Sequence, residues 1–327
     1  MKEPLISIIC TAYNHEKYIA KAIEGFLMQE TEYDYEILIH DDASTDKTAD
    51  IIRQYELKYP EIIKAVYQTE NQYSKGVKIS RTFLHPKAKG KYVAICEGDD
   101  YWTDKSKLQL QVKYMESHPE CTLCFHASEA VNVNTGKKRN IRPYKRDQIC
   151  SIEDIILGQG THYCATNSML FPSEFALERP DFMKAINVGD YPRRLLLASK
   201  GTVYYIDRVM SVYQTGVKGS WTTTRSKEIA NGDYTKAIKF QNRLKNMMHL
   251  YDKYTNYKYS DVISLKVEIS EAKFLRRTGQ YKEIKNRKYQ RYWNELNFIS
   301  KTKLLLAMYI PTFYNGLKTI KNKIIKS

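Results

Sequence analysis

Three carboxylates stand within four positions in "AICEGDDYW" (94–102): Glu97, Asp99 and Asp100, directly behind an apolar run. At the end of a buried strand they repel one another and lose hydration, so such a cluster calls for a cation or a hydrogen-bonding ligand, a divalent metal first of all. "HDDASTD" (40–46) repeats the pattern, with Asp46 or Ser44 suited to cap a following helix and Asp42 left over for other work. "VGDYP" (188–192) sets Asp190 at the mouth of a helical stretch, where spacing alone favours an N-cap.

These groups need elements to bring them together. "LISIIC" (5–10), "YEILIH" (35–40), "IKAVYQ" (63–68) and "KYVAIC" (91–96) are short apolar runs that read as buried strands. Ile19, Ile23, Phe26 and Leu27, then Ile51, Ile52 and Tyr55, give helical stripes between them, and Leu108, Val112 and Met115 give another after the acidic cluster. Strands alternating with amphipathic helices predict an α/β fold: a doubly wound, mostly parallel sheet with helices on both faces. Ligands of such sheets bind beyond the carboxyl ends of the strands, so the polar tails "TAYN", "DDASTD" and "EGDD" are expected to converge on one crevice. "CTLCFHAS" (121–128), "NSMLFP" (167–172) and 201–214 supply further strands, and a helix follows Asp190. Beyond about residue 228 the text turns helical and rich in Tyr and Lys, which predicts domains at 1–225 and 226–327.

Together, "SIICTAYNHEKYIAKAIEGFLMQ", "EILIHDDASTDKTADII", "GKYVAICEGDDYWTDKSKLQLQV" and "VGDYPRRLLLASKG" resemble family 2 of the inverting glycosyltransferases, of GT-A fold, over roughly residues 4–221. The resemblance implies a role for each motif. Its acidic DxD-type motif falls on Glu97, Asp99 and Asp100: Asp100 is the best ligand for Mn²⁺ or Mg²⁺, and Asp99 contacts the ribose or shares the metal. Glu97 stands where aspartate is commoner. Such a cation neutralises the departing nucleoside diphosphate. Asp42 is implied to accept the N3–H of a uracil ring, with Thr11, Ala12 and Tyr13 around the base, which favours a UDP-sugar donor. Asp190 falls where the family carries the general base that deprotonates the acceptor hydroxyl. Arg81, Lys75 and Lys78 read either as diphosphate contacts or as a solvated loop. Gln214 and Thr215 stand where relatives often carry a histidine, so no third metal ligand is expected there, and Trp221 is expected to line the acceptor cleft. The implied reaction moves a hexosyl or hexosaminyl group to a hydroxyl of a glycan or lipid-linked saccharide, in surface-polysaccharide synthesis.

A chain of 327 residues with 43% hydrophobic content supplies core for one large domain or two ordinary ones. The first residues hold no secretory h-region, and no apolar run approaches the roughly 20 residues of a spanning helix, so a cytoplasmic protein is expected. Six cysteines in that setting read as buried thiols, the CxxC of Cys121 and Cys124 included. His15, His40, His85, His126 and His162 fall at no metal-ligand spacing and read as structural or surface residues. The net charge of +15 is uneven, because residues 228–327 hold 21 Lys and Arg against 8 Asp and Glu. The end of that stretch, "KTKLLLAMYIPTFYNGLKTIKNKIIKS", suits either peripheral binding to an anionic membrane at the inner face of the plasma membrane or a helical subdomain with a solvated basic face. A nucleic-acid binder is the competing class, but paired acids at the presumed cleft would repel a phosphate backbone. Nucleotidyl transfer to a sugar phosphate would want a Gly-rich phosphate loop near the N-terminus, which the sequence lacks. The oligomeric state is not legible in the sequence.

Overall fold

The computed structural model describes residues 3–158, 163–220, 223–224, 229 and 231–310. They fall into two compact units, the first drawn from 1–183 and 187–223 and the second from 184–186 and 224–327. The first unit begins with β1 (Ile6–Ala12), α1 (Ile19–Leu27), β2 (Tyr35–Asp41), α2 (Thr48–Lys58), β3 (Ile63–Tyr67) and β4 (Tyr92–Ile95). The four strands pair in parallel in the order β3-β2-β1-β4. The chain therefore winds one way from β1 through β2 to β3 and then crosses back to β4. Beyond the carboxyl ends of β1 and β4 this reversal leaves a crevice, because the connections leave in opposite directions. As the central strand β1 is buried on both faces, with Ile6, Ile8 and Cys10 on one and Ser7 and Ile9 on the other. Ser7 is tolerated there because its hydroxyl donates to Glu36 at 2.7 Å and accepts from Gly90 N–H at 2.9 Å.

The rest of the unit is mixed. It comprises β5 (Tyr101–Trp102), α3 (Lys107–Ser117), β6 (Cys121–Asn132), β7 (Lys138–Ile141), β8 (Gln148–Cys150), α4 (Ile152–Leu157), β9 (Leu170–Pro172), α5 (Asp181–Lys184), α6 (Asp190–Lys200) and β10 (Thr202–Thr215). β9 runs antiparallel between β4 and β6 and so joins the two halves into one sheet. The long pairing of β6 with β10 is parallel, while β5 and β8 lie antiparallel to β10 and β7 antiparallel to β6. The sheet is thus mostly parallel with helices on both faces, as expected. Strands β5, β7 and β8 were not anticipated, since two to four residues are too few to show an alternating pattern. All six cysteines are buried and free.

The second unit contains α7 (Thr235–Tyr254), α8 (Ser260–Arg277), α9 (Gln290–Glu295) and α10 (Phe298–Tyr309). α7 and α8 are held side to side by a reciprocal pair, Gln241 to the Ser270 carbonyl and Ser270 Oγ to Gln241, each at 2.9 Å. Ala272, Ile284, Tyr289, Tyr292, Leu304 and Met308 form its small core. Buried Glu268 is satisfied by Tyr292 N–H at 2.7 Å and Arg291 Nε at 3.0 Å. Among the described residues no helix is long and apolar enough to cross a membrane.

One close approach ties the core to the acidic cluster. α1 buries Ile19, Ala22, Ile23, Gly25 and Phe26, and a Cβ on Gly25 would lie 2.9 Å from Trp102 O and 3.0 Å from Trp102 N. Helix backbone here rests on the backbone of β5, two residues after Asp100, and Phe26 packs edge-on against Trp102 at 4.8 Å. Gly25→Ala is therefore expected to cost about 1–3 kcal/mol in denaturant unfolding, because neither backbone can yield without moving the other.

Candidate active site

The loops after β1 and β2 are laced together by side chains. Asn14 N–H donates to Ser44 Oγ at 2.9 Å, Thr45 N–H to Asn14 Oδ1 at 2.8 Å and His15 N–H to Thr48 Oγ1 at 2.7 Å. Asp46 accepts from Thr48 N–H at 2.9 Å, which helps to cap α2, and from Glu16 N–H at 3.2 Å. Ser44 therefore faces the neighbouring loop and not the helix. Asn14 and Ala43 adopt left-handed backbone, φ 55° and 58°, to make these turns. Beside them Ala12 is buried, Thr11 is half-buried and Tyr13 leaves 43% of its surface open.

Asp42 is buried, and its two oxygens accept Gln72 N–H at 2.9 Å and Tyr73 N–H at 3.0 Å, which ties the segment after β3 to the end of β2. Its neighbour Asp41, equally buried, accepts Ser44 N–H at 3.1 Å through Oδ2, while Oδ1 has no hydrogen-bond partner among the described residues. Asp41 lies opposite Ala12 in the β1–β2 register. The sequence singled out Asp42 alone; the doubled aspartate was the only signal for Asp41.

The acidic turn after β4 is pinned to the same place. Cys96 N–H donates to Ile9 O at 3.1 Å, Gly98 N–H to Thr11 O at 2.9 Å and Asp100 N–H to Glu97 O at 2.9 Å. A Cβ on Gly98 would sit 3.0 Å from both His15 Nδ1 and Ile19 Cδ1, so the turn presses against the loop after β1. Glu97 is open to solvent yet hemmed in by protein, and this dehydration, with the like charges of Asp99 and Asp190, pushes its carboxyl up to about 8. Asp100 is only 1% exposed, and burial, followed by the charges of Asp99 and Glu97, drives its carboxyl well above the usual range. Two neutral donors oppose that shift: Gln214 N–H on Oδ1 at 2.7 Å and Asn167 Nδ2 on Oδ2 at 3.1 Å. Gln214 also donates its side-chain amide to the Asp99 carbonyl. The position without the family's histidine thus holds the backbone of the acidic turn.

Asp190 begins α6, whose N-cap is Gly189 with no side-chain cap bond, and Asp190 itself is half-buried. α6 packs on β6 and β10, and its first residue comes near the acidic turn after β4. Glu97 feels the charge of Asp190 there. His15 in turn feels Asp99, Asp46 and Asp41, with burial as the larger influence pulling its ring towards the neutral form. The acids that follow β2, β4 and Gly189 therefore stand at one end of one sheet.

The cations of the 75–81 segment are engaged elsewhere. Arg81 donates to the Leu177 carbonyl, Lys75 pairs with Glu70, and Lys78 reaches the Asn187 carbonyl at 3.4 Å. Arg193 holds the Phe175 and Ala176 carbonyls at 3.3 and 3.2 Å, and burial together with Arg81 lowers it to about 10. Trp221, His162 and residues 311–327 lie outside the described residues.

Among the described residues no three His, Cys, Asp or Glu side chains form a ready metal cage. The donor set nevertheless fits a hard divalent cation. Burial and neighbouring acids push Glu97 and Asp100 towards their neutral forms, and a hard cation takes one or two such carboxylates and completes its shell with water and phosphate oxygens.

The glycosyl transferase family 2 profile matches residues 7–176, just over half of the chain. An uncharacterised protein of Mycobacterium tuberculosis is 33% identical over 216 residues, which are 66% of this chain and 60% of that protein. The putative teichuronic acid biosynthesis glycosyltransferase TuaG of Bacillus subtilis is 40% identical over 123 residues, 38% of this chain and 46% of TuaG. The Escherichia coli UDP-Glc:alpha-D-GlcNAc-diphosphoundecaprenol beta-1,3-glucosyltransferase WfaP is 40% identical over 113 residues, 35% of this chain and 42% of WfaP. The chain thus spans 60% or less of the length of these relatives. Staphylococcus aureus TarS 1–349, solved in complex with UDP, shares the fold at a TM-score of 0.51 and 17% identity, over 97% of this chain and 91% of that one. A nucleotidyltransferase or a nucleic-acid binder is not favoured by any of these likenesses. The profile covers β1 to β4 and the acidic turn, and on that ground the chain belongs to glycosyl transferase family 2, with the GT-A fold.

Proposed function

We propose that the protein transfers a hexosyl or hexosaminyl group from a UDP-sugar to a hydroxyl of a glycan or lipid-linked saccharide, with inversion and with the help of Mn²⁺ or Mg²⁺. The observation that carries this reading is the buried Asp100, held by two neutral N–H donors among Glu97, Asp99 and Asp190. TarS was solved with UDP, and the WfaP name specifies a UDP-sugar donor. In this reading the open face of Tyr13 stacks on the uracil, with Thr11 and Ala12 beside it. Asp42 and the partnerless Asp41 Oδ1 are the acceptors available to the N3–H of the base. Asp100, with Asp99, would hold the divalent cation, which supplies positive charge to the leaving diphosphate. Arg81, now on the Leu177 carbonyl, reaches the diphosphate only after giving up that bond. Asp190, in the first turn of α6 behind the N-cap Gly189, would take the proton of the attacking hydroxyl.

The reading extends to a partner surface and to surface-polysaccharide synthesis. α10 is apolar on its packed side, through Leu304, Ala307 and Met308, and on its outer side, where Phe298 is 83%, Ile299 63% and Tyr309 63% exposed. No acidic residue follows Glu295, while lysines recur to the C-terminus. An apolar face flanked by cations matches an anionic bilayer, at which a cytoplasmic enzyme would meet lipid-linked acceptors peripherally.

Three outcomes test these assignments. Asp100→Ala is expected to remove the Mn²⁺-dependent part of UDP affinity in calorimetry, and metal-dependent binding at wild-type strength would contradict the role. Asp190→Asn is expected to keep donor affinity while lowering turnover by about 10²–10⁴-fold, the usual worth of a general base; full turnover would place the base elsewhere. Phe298→Ser with Ile299→Ser is expected to abolish co-sedimentation with phosphatidylglycerol vesicles, and unchanged pelleting would refute the membrane surface.

A further inference from the structure

We infer that Asn167 is a positioning residue, one that aims the Asp100 carboxylate at an incoming divalent cation. The inference rests on the reading of Asp100 as a cation-binding carboxylate and goes beyond it by naming what holds that carboxylate in place. Asn167 lies in a short 3₁₀ turn (Thr166–Ser168) just before β9 and is fully buried. Its side chain is used on every side: Nδ2 donates to Asp100 Oδ2 at 3.1 Å and to Val212 O at 2.9 Å, and Oδ1 accepts from Ser211 Oγ at 2.8 Å. Ser211 Oγ is in turn 2.8 Å from Ser128 Oγ, and Asn167 O accepts Trp102 Nε1 at 2.9 Å.

This network fixes which way the amide points. Val212 O accepts only, and so does Asp100 in the ionised form that binds a cation, so in that form a flipped amide would set three oxygens against one another in a buried site. One N–H is satisfied by Val212 O in β10 and the other by Asp100. Together with Gln214 N–H on Oδ1, each carboxylate oxygen then receives one donor and keeps a lone pair for a further partner. Neither donor carries charge. An arginine or lysine in that place would neutralise Asp100, whereas two amides orient it and leave its negative charge to attract a metal. The buried cation of this region, Lys107, is turned to Gln111 Oε1 at 2.7 Å and to the Trp102 ring at 4.0 Å.

The test is Mn²⁺ binding without turnover, read from the electron paramagnetic resonance signal of free Mn²⁺, with and without UDP. Asn167→Asp keeps the shape but replaces the donor by an oxygen, and is expected to weaken Mn²⁺ binding about 10–100-fold. Ser211→Ala, which unpins Asn167 Oδ1 without touching the carboxylate, is expected to give a smaller loss in the same direction. Ser128→Ala removes a hydrogen bond from the same buried chain one step further away, and is expected to lower Tm while leaving Mn²⁺ affinity unchanged. Wild-type affinity in both Asn167→Asp and Ser211→Ala, or an equal loss in Ser128→Ala, overturns the inference. Asp100→Asn separates the two levels. Lost binding there with intact binding in Asn167→Asp sinks the positioning role alone, and intact binding in Asp100→Asn sinks the reading of Asp100 as well.

Discussion

Asp100 is a nearly fully buried carboxylate whose two oxygens are each held by one uncharged N–H, from Gln214 and from Asn167. An isolated ionised carboxylate is too costly to bury, and a lysine or arginine partner would remove its charge from further use. Amide donors take the middle course. They fix the direction of the carboxylate and leave its electrostatic demand unmet, which is the state a site needs when the missing charge is to arrive with a substrate. The neighbouring Glu97 is likewise pushed up, to about 8, by dehydration first and then by the charges of Asp99 and Asp190.

The sheet is arranged to deliver those two donors. Parallel strands β1 to β4 bring the acidic turn to the crevice, but a parallel edge at β4 alone would leave Asp100 facing solvent. β9, antiparallel to both β4 and β6, closes that edge and carries the turn that holds Asn167. β10 passes antiparallel to β5 with Val212 opposite Tyr101, which places Gln214 beside Asp100. The lacing of the loops after β1 and β2 then keeps Thr11, Tyr13 and the Asp41–Asp42 pair next to this acidic turn. Gly25 permits the close backbone approach to Trp102, and Gly98 the close contacts with the His15, Ile19 and Ala12 side chains, on which the arrangement rests.

Much of this was legible in the sequence, for physical reasons. β1, β2, β3 and β4 are continuous apolar runs because both of their faces are covered, and α1 and α3 show clean stripes because each packs one face on the sheet, whereas α6 reads only as a helix after Asp190 and buries the consecutive run Arg194–Leu197. The convergence of "TAYN", "DDASTD" and "EGDD" followed from the rule that parallel strands share one carboxyl end. Asn167 was not legible: a lone asparagine before a short strand acquires its role only when β9 inserts antiparallel beside β4, and local pattern does not carry pairing direction. Asp41 was hidden by its twin, since two adjacent aspartates face opposite ways and a one-residue difference in strand end decides which is left with a free oxygen. The partners of Arg81 depend on a carbonyl almost a hundred residues away, at Leu177.

The central claim, that acids distant in sequence serve one cation and one diphosphate, is tested most directly by the manganese anomalous difference map of crystals grown with UDP and Mn²⁺. A single strong peak is expected within bonding distance of an Asp100 oxygen and of the diphosphate, with Asn167 and Gln214 still on the carboxylate and Asp190 facing the same cavity. A nucleotide bound away from β1 and β4, or a manganese peak that ignores Asp100, would contradict it.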